Sequence, residues 1–376
     1  MSKYRVLSFD GTSGSGRLGY IGAGLLKEMH ALAQQQGASM MKNVDVFAGT
    51  SGGAWNALFF AMHDDPEAAL TDVLDFWQNV VDCMPAVDKQ TVSIMRELRA
   101  LTGGAAVVNT RRVRDFFIDY FGRNTKLGDL KQKVVIPAFK LDNRKARRRH
   151  WKVKIFNTMS PNEPDLDELV VDVAMRTSAS PVISPIFQSI FYRGPGYIDG
   201  GVFANDPSMV ALAQVHSDAV LGSGSGKEIL LLSVGNGRRL QYIEPKFENG
   251  MADWGYRPWL LNLFQPFALV DLVMEANMMT TTYQCKRLLR DRYFRIDPDV
   301  TQSDGLSTQD VYAAVETEVA QQNTQNTVTR AFAWLQASGW LMPLCDGRGE
   351  AAPGAGAEGP GAAAPNGHHE LGQVIG

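Results

Sequence analysis

The segment VDVFAGTSGG, residues 44–53, joins a short apolar run to a turn rich in Gly and Ser. Residues 44–48 have the composition of a buried strand, and residues 54–63 have that of a helix. The turn between them fits G-x-S-x-G, in which small neighbours let the serine hydroxyl project above the edge of a sheet. A Gly- and Ser-rich turn without chemistry is the alternative. The context favours Ser51 as a nucleophile, because the following helix directs its N-terminal N–H groups toward developing negative charge.

The apolar run YRVLSF, residues 4–9, predicts an earlier strand, and residues 19–36 predict a helix between the two strands. A strand, a crossover helix and a second strand are typical of a parallel sheet in an α/β fold. The pattern predicts further strands at 134–139, 153–156, 227–234 and 292–296, and further helices at 169–177, 258–290 and 308–337.

The chain has 376 residues, of which 45% are hydrophobic and 20% charged, a composition typical of a globular protein with a substantial core. From about residue 346 the sequence becomes rich in Gly, Ala and Pro and has no periodic apolar face. Such a segment cannot bury enough surface to offset its ordering entropy. We therefore expect one domain over residues 1–345 and a disordered tail over residues 346–376.

Charge and cysteine content exclude several classes of protein. The net charge of −3 gives no global basic field that would attract nucleic acid. Three scattered cysteines are too few for a disulfide framework or a zinc site. The N-terminus shows no apolar signal sequence, and the longest apolar stretch, residues 258–274, is shorter than the ~20 residues that cross a bilayer. We expect a cytoplasmic protein that meets membranes, if at all, peripherally through local patches.

A serine nucleophile needs a base, and none of the six histidines is well placed. Two lie in the tail, two in predicted helices, one in a basic connection and one on an Ala- and Leu-rich helix: His368, His369, His30, His63, His150 and His216. The base is therefore expected among the carboxylates. Asp199 stands out because it ends an apolar run and precedes two glycines that permit a tight backbone. A turn aspartate that accepts nearby N–H groups is the alternative interpretation.

Four segments together closely resemble the patatin-like phospholipases: Asp10 with GSGRLG at 14–19, GTSGG at 49–53, RTSASPVISPIF at 176–187 and YIDGGVFANDP at 197–207. The resemblance covers about residues 4–240, and residues 250–345 would add C-terminal helices to the same catalytic domain. It implies a three-layer α/β fold in which helices flank a mainly parallel central sheet. It also implies a dyad of Ser51 as nucleophile and Asp199 as its base, with no metal and no cofactor.

The oxyanion hole of this family is a glycine-rich loop after the first strand. The resemblance assigns oxyanion binding to Gly14, Ser15, Gly16, Arg17 and Gly52, and a supporting role in the motifs to Gly19, Gly49, Gly53 and Gly200. The sequence departs from the usual loop, D-G-G-G-x-[RK]-G. Residues 11–13 form an insertion after Asp10, Ser15 replaces the middle glycine, and Arg17 stands one position early. The register of the N–H groups that face the oxyanion is therefore left open.

Two other ligands fit the same loop less well. Residues 11–16 have the spacing of a Walker A loop, but Arg17 and Leu18 replace the lysine and the magnesium-binding hydroxyl. Residues 14–19 match the dinucleotide-binding pattern G-x-G-x-x-G. However, the second strand leads into the turn at Ser51 rather than into an acidic residue that would hold a ribose. Both patterns are therefore weaker than an oxyanion site.

The resemblance implies phospholipids or lysophospholipids as substrates, and hence a membrane surface as partner. The basic run RKARRRHWKVK, residues 144–154, suits anionic headgroups, and it suits a solvated connection between two strands as well. An esterase or acyltransferase acting on soluble acyl substrates is the alternative enzyme. A third interpretation is an effector phospholipase activated by a ligand or an unidentified partner that docks on the C-terminal helices. The oligomeric state stays open.

Overall fold

The computed structural model describes residues 3–12, 19–83, 106, 108–144, 147–217, 228–238, 242–255, 258–259, 268–300, 316–317 and 319–344. Several sequence-based expectations concern other parts of the chain. The expected oxyanion residues 14–17, parts of the helices expected at 258–290 and 308–337, and the tail at 346–376 lie outside the described residues.

The described strands are β1 Lys3–Phe9, β2 Ala38–Ser39, β3 Val46–Gly49, β4 Lys133–Lys140, β5 Lys152–Asn157, β6 Tyr197–Asp199, β7 Glu228–Val234, β8 Tyr293–Ile296 and β9 Met342–Pro343. Seven of them form the main sheet in the order β5–β4–β3–β1–β7–β8, and β6 pairs with β4 as well. Strands β4, β3, β1, β7 and β8 are parallel to one another, as the sequence predicts. The short strands β2 and β9 pair separately.

The described helices are α1 Tyr20–Gln35, α2 Gly52–Met62, α3 Pro66–Ala69, α4 Val73–Cys83, α5 Arg111–Phe121, α6 Val170–Thr177, α7 Gly201–Ala204, α8 Ser208–Val215, α9 Ala268–Leu289 and α10 Gln322–Ala337. Short 3₁₀ turns occupy Leu127–Asp129, Pro164–Asp167 and Arg290–Arg292. Helix α1 is the crossover between β1 and β3, which confirms the predicted parallel unit. None of the helices in the described ranges is both long and apolar enough to cross a bilayer.

Both faces of the sheet are covered by apolar side chains. Neighbouring residues of a strand point to opposite faces. Phe47 therefore joins a cluster that includes Trp55 of α2, whereas Val46 joins a second cluster that includes Leu212 of α8 and Leu289 of α9. All five side chains are buried. Helices thus flank the sheet on both sides, which confirms the expected α/β fold with three layers.

Strands β5 and β6 are the antiparallel members of the sheet. Residues 141–151 connect β4 to β5, and a connection of that length is too short for the crossover that a parallel neighbour requires. Strands β4 and β5 therefore form a hairpin at the carboxyl end of β4. Strand β6 pairs with the last residues of β4, beyond the point where β3 has ended.

Candidate active site

Ser51 follows β3 by two residues and directly precedes α2, at the carboxyl edge of the sheet. Its backbone has φ 52° and ψ −125°, a region that residues other than Gly rarely adopt. Such strain costs about 1–3 kcal/mol and persists only where the surroundings fix it. The Ser51 N–H donates to Thr177 Oγ1 at 3.0 Å, and the Thr177 hydroxyl donates to the Pro137 carbonyl at 2.6 Å. Helix α6 and strand β4 therefore hold the turn in its strained conformation.

Two glycines of this turn allow β1, β3 and α2 to approach one another closely. A Cβ at Gly49 would lie 2.3 Å from the carbonyl oxygen of Gly53. A Cβ at Gly53 would lie 2.3 Å from the carbonyl oxygen of Asp10. Because both contacts are with backbone, no side-chain movement could relieve them. The first and last glycines of GTSGG are thus required by packing, and they place the start of α2 directly beside the end of β1.

Asp199 ends β6 and is buried, with 4% of its surface exposed. Its backbone N–H donates to the Ala179 carbonyl at 3.0 Å, and its Oδ1 accepts the Gly201 N–H at 2.7 Å. The Ser51 hydroxyl donates to the same carboxylate. The structure therefore brings together the two residues that the sequence predicts as nucleophile and base.

Burial raises the pKa of Asp199 from 3.8 to about 6, although the Gly201 N–H and the Ser51 hydroxyl both act to lower it. The carboxylate is therefore a stronger base than an ordinary aspartate, and it is still ionised at neutral pH. A pKa close to the working pH is what a general base requires.

The separation of Ser51 and Asp199 is fixed by β4, which both segments contact. Strand β3 pairs with β4 up to Val135, and β6 pairs with β4 from Ala138 onward. Pro137 lies between them. Its carbonyl accepts the Thr177 hydroxyl on the serine side, and it packs so closely against Gly200 that a Cβ there would lie 2.4 Å away. One strand therefore positions both halves of the candidate dyad.

The chain that enters the expected oxyanion loop passes next to Ser51. Gly11 donates its N–H to the Asn205 carbonyl at 2.8 Å, and the Asn205 side-chain amide donates back to the Gly11 carbonyl at 3.2 Å. A Cβ at Gly11 would lie 3.3 Å from the Ser51 Cβ. At the far end of the loop, the Asn56 amide of α2 donates to the Gly19 carbonyl at 3.1 Å. Both ends of the loop are therefore anchored close to Ser51.

Of the five residues predicted to bind the oxyanion, Gly52 lies within the described residues, and the other four do not. Gly52 is the first residue of α2 and is buried next to Ser51. The first N–H groups of a helix have no partner inside the helix. The N-terminus of α2 therefore offers donors and a positive helix end beside the serine hydroxyl.

A buried ion cluster lies behind the start of the same loop, centred on Arg295 of β8. The guanidinium of Arg295 binds both oxygens of Asp10, at 2.5 and 3.1 Å. It also contacts Asp206 at 3.3 Å and Asp297 at 2.8 Å. Burial acts against the charge, but the three carboxylates together raise the pKa of Arg295 well above its ordinary value. The cluster is therefore a permanently charged support for Asp10.

The described histidines all have other surroundings. His30 contacts Glu67 at 2.8 Å, and His63 lies 2.7 Å from the Phe59 carbonyl. His150 contacts Asn143 in the exposed β4–β5 hairpin, and His216 lines an apolar cavity of about 280 Å³ between α8 and the end of α9. Across the described ranges, no three His, Cys, Asp or Glu side chains are grouped to hold a metal ion.

The sequence does not indicate the role of three residues that support the site. Thr177 and Asn205 lie inside segments that were recognised, but nothing in the sequence indicates which backbone groups they bind. Arg295 lies in the short strand YFRI, and its partner Asp10 is 285 positions away in the chain. A buried arginine in an otherwise apolar strand is the one signal that could have indicated such a partner.

Comparison with known proteins gives consistent matches. The patatin-like phospholipase family model matches residues 12–212, more than half of the chain. CotR of Bacillus subtilis is 27% identical over 324 residues, which cover 80% of this chain and 88% of the relative. Patatin-like protein 2 of Arabidopsis thaliana is 27% identical, with 80% and 77% covered. The cGAMP-activated phospholipase of Pseudomonas aeruginosa is 26% identical, with 85% of each chain covered.

Proposed function

The chain belongs to the patatin-like phospholipase family, whose activity is the hydrolysis of lipid acyl esters, and we propose that Ser51 and Asp199 carry out this reaction. The observation that carries the proposal is the buried carboxylate of Asp199, whose pKa burial raises to about 6 and whose charged form the neighbouring Ser51 hydroxyl favours. Phospholipids or lysophospholipids are the proposed substrates. That choice rests on the family and on the relatives named as phospholipases.

In the proposed mechanism Ser51 Oγ attacks the ester carbonyl while its proton passes to Asp199. The negative charge on the tetrahedral oxygen is stabilised by N–H groups at the start of α2, including Gly52, and by the glycine-rich loop of residues 14–17. Collapse of this intermediate expels the alcohol, which takes the proton from Asp199, and leaves an acyl-serine. Asp199 then removes a proton from water as that water attacks the acyl-serine, and collapse of the second tetrahedral intermediate releases the fatty acid while Asp199 returns the proton to Ser51 Oγ.

Mass spectrometry of the lipid products tests the substrate class. Wild-type protein incubated with phosphatidylcholine vesicles is expected to release fatty acid and lysophospholipid, whereas Ser51→Ala is expected to release neither. Cleavage of a short soluble ester without release of fatty acid from vesicles would replace this proposal by the soluble esterase.

Addition of cGAMP in a parallel reaction tests a second candidate function, an effector phospholipase that a ligand activates. The relative named cGAMP-activated phospholipase favours this candidate. Activity that depends on the nucleotide would support that candidate.

The activity is expected to rise with pH through about 6. Asp199 must be ionised to accept the Ser51 proton, and burial raises its pKa to about 6. Below that value kcat/KM should fall about tenfold for each pH unit, because only the ionised fraction of the free enzyme reacts. Hydrolysis of a non-ionising ester from pH 4.5 to 8 measures the profile, with circular dichroism as a control for folding. A midpoint near 4 in a folded enzyme would show that burial does not raise the pKa of Asp199, and the same midpoint near 6 in Asp199→Asn would contradict its role as base.

A further inference from the structure

Two segments at the carboxyl end of β4 form one continuous surface beside the candidate site. They are the β4–β5 hairpin, residues 141–153, and the loop that precedes β6, residues 180–196; together we call them the rim. The Leu141 N–H donates to the Gly196 carbonyl at 3.0 Å, and the Arg144 guanidinium donates to the Gly194 carbonyl. A Cβ at Gly196 would lie 2.8 Å from the Ile186 side chain and 3.7 Å from that of Leu141. The hairpin and the loop are therefore in contact.

The rim exposes large apolar side chains. Trp151 is 73% exposed, Ile186 is 63% exposed and Tyr192 is 81% exposed. Four smaller or less exposed apolar side chains belong to the same surface: Val153, Val182, Ile183 and Phe191. Single exposed apolar residues are common on proteins, but a group of this size marks a surface that contacts an apolar partner.

The rim is also strongly basic. Its two segments contain seven Lys and Arg residues and one carboxylate, Asp142, in a chain whose net charge is −3. Asp142 is paired with Arg149. Arg147, Arg148 and Arg193 are exposed. Positive charge is therefore concentrated on the same surface as the apolar side chains.

The backbone of the rim is held in conformations that residues other than Gly rarely adopt. Arg144, Val182 and Tyr192 have φ of 55°, 71° and 56°. For a β-branched residue such as Val182 this conformation is an outlier, and it persists only where the surrounding structure imposes it. These three positions carry a cation, an aliphatic side chain and an aromatic side chain, and all three side chains are exposed. The backbone strain therefore occurs at residues that form the exposed surface of the rim.

The rim adjoins the candidate dyad on both sides. Its loop begins three residues after Thr177, whose hydroxyl accepts the Ser51 N–H, and ends three residues before Asp199. The Asp199 N–H donates to Ala179, the residue directly before the loop. The rim and Ser51 are thus at the same edge of the sheet.

We propose that the rim is a docking surface for anionic lipid bilayers, which brings the candidate active site to its substrate. Tyr and Trp side chains prefer the interface between lipid and water, and clustered Lys and Arg are attracted to anionic headgroups. An acidic protein partner would match the charge, but the exposed Trp151, Ile186 and Tyr192 match the apolar part of a bilayer as well. The proposal rests on the proposed function only for its consequence, the delivery of substrate, since the docking itself is independent of catalysis.

Sedimentation with vesicles tests this proposal, using Ser51→Ala protein so that the lipids stay intact. The protein is expected to bind vesicles of phosphatidylcholine with phosphatidylserine more tightly than vesicles of phosphatidylcholine alone. Arg147→Ser with Arg148→Ser should weaken binding to the anionic vesicles about tenfold or more. A variant that combines Trp151→Ser, Ile186→Ser and Tyr192→Ser should also bind the anionic vesicles about tenfold or more weakly. Tyr283→Ser with Arg287→Ser removes a stacked aromatic–cation pair of α9, 5.4 Å apart, and should leave binding unchanged.

Equal binding by the rim variants and the α9 control would overturn the proposal, as would equal affinity for the two kinds of vesicle. Hydrolysis of a short soluble ester by the rim variants with Ser51 intact separates docking from chemistry, and we expect it to match the wild type. If wild-type protein binds anionic vesicles through the rim but hydrolyses no ester, the proposed function fails and the docking surface stands. If it releases fatty acid from phospholipid vesicles but the rim variants bind vesicles normally, the proposed function stands and the docking surface fails.

Discussion

Ser51→Ala is expected to lower ester hydrolysis by about 10⁴-fold or more, because no other group replaces the attacking oxygen. The substitution removes one hydroxyl and keeps the Cβ, so the strained turn between β3 and α2 gains no new contact. The Ser51 N–H can still donate to Thr177. The fold should therefore survive, and the loss should appear in kcat rather than in KM. Ser160→Ala, a serine in a turn after β5, is the control and should retain full activity.

Asp199→Asn is expected to lose activity to a similar extent, since an amide accepts no proton from Ser51. Folding stability, by contrast, should rise in this variant. The pKa of Asp199 is higher in the folded state than its ordinary 3.8, so the folded protein binds the proton more tightly. Folding stability therefore falls as pH rises from about 4 to about 6, and the ionised carboxyl costs about 3 kcal/mol at neutral pH. An uncharged Asn avoids that cost.

Urea unfolding at pH 7 together with steady-state kinetics separates these effects. The expected result for Asp199→Asn is a folded protein at least as stable as the wild type and almost inactive. Activity that persists in Ser51→Ala would exclude the proposed nucleophile. An Asp199→Asn protein that is active would show that another group accepts the proton.

Arg295→Met is expected to cost about 3–5 kcal/mol of folding stability, because it leaves buried carboxylates without their cation. Arg295 contacts Asp10, Asp206 and Asp297, and its side chain is only 10% exposed. Activity should fall as well, since Asp10 begins the loop expected to hold the oxyanion. Burial raises the pKa of Asp10 and the charge of Arg295 acts to lower it, so the pKa of Asp10 should rise further without the cation. The stability of the variant should therefore approach that of the wild type as the pH falls.

A matched control is Arg238→Met. Arg238 pairs with Asp299 at 2.8 Å, but both side chains are nearly half exposed, and such a pair contributes less than about 1 kcal/mol. Arg295→Lys keeps the charge but loses the bidentate contact with Asp10. Its folding stability should therefore lie between those of the wild type and Arg295→Met, and it replaces Arg295→Met in the test if that variant fails to fold. Equal losses for Arg295→Met and Arg238→Met in urea unfolding would show that the buried cluster has no special role.

The sequence was informative where neighbouring residues decide the structure. The run before Ser51, the glycines after it and the helix that follows form one local unit, so the turn could be predicted from ten residues. The end of β6 at Asp199 was similarly local. What brings Asp199 to Ser51 is the pairing of two different strands with β4, and no local pattern encodes it.

The sequence was least informative where a side chain acts on a distant backbone group. The role of Thr177 depends on the carbonyl of Pro137, which belongs to another strand. That of Asn205 depends on Gly11, nearly two hundred residues earlier in the chain. The antiparallel direction of β5 and β6 also followed from connection length and strand overlap, rather than from the apolar pattern that identified the strands.

Both segments of the candidate dyad contact β4. This strand therefore fixes the distance between Ser51 and Asp199, whereas other parts of the molecule can vary. The distance between Ser51 and Asp199 is set by four residues of one strand, from Val135 to Ala138. In the loop before β6, Phe187 pairs with Tyr197 and so supports the strand that carries Asp199, whereas the exposed turns lie outside these pairs. Insertions or deletions in the exposed turns could therefore change the surface that meets the lipid while the distance between Ser51 and Asp199 stays constant. For an engineer, these turns are the place to graft a new specificity, and β4 is the strand to leave alone.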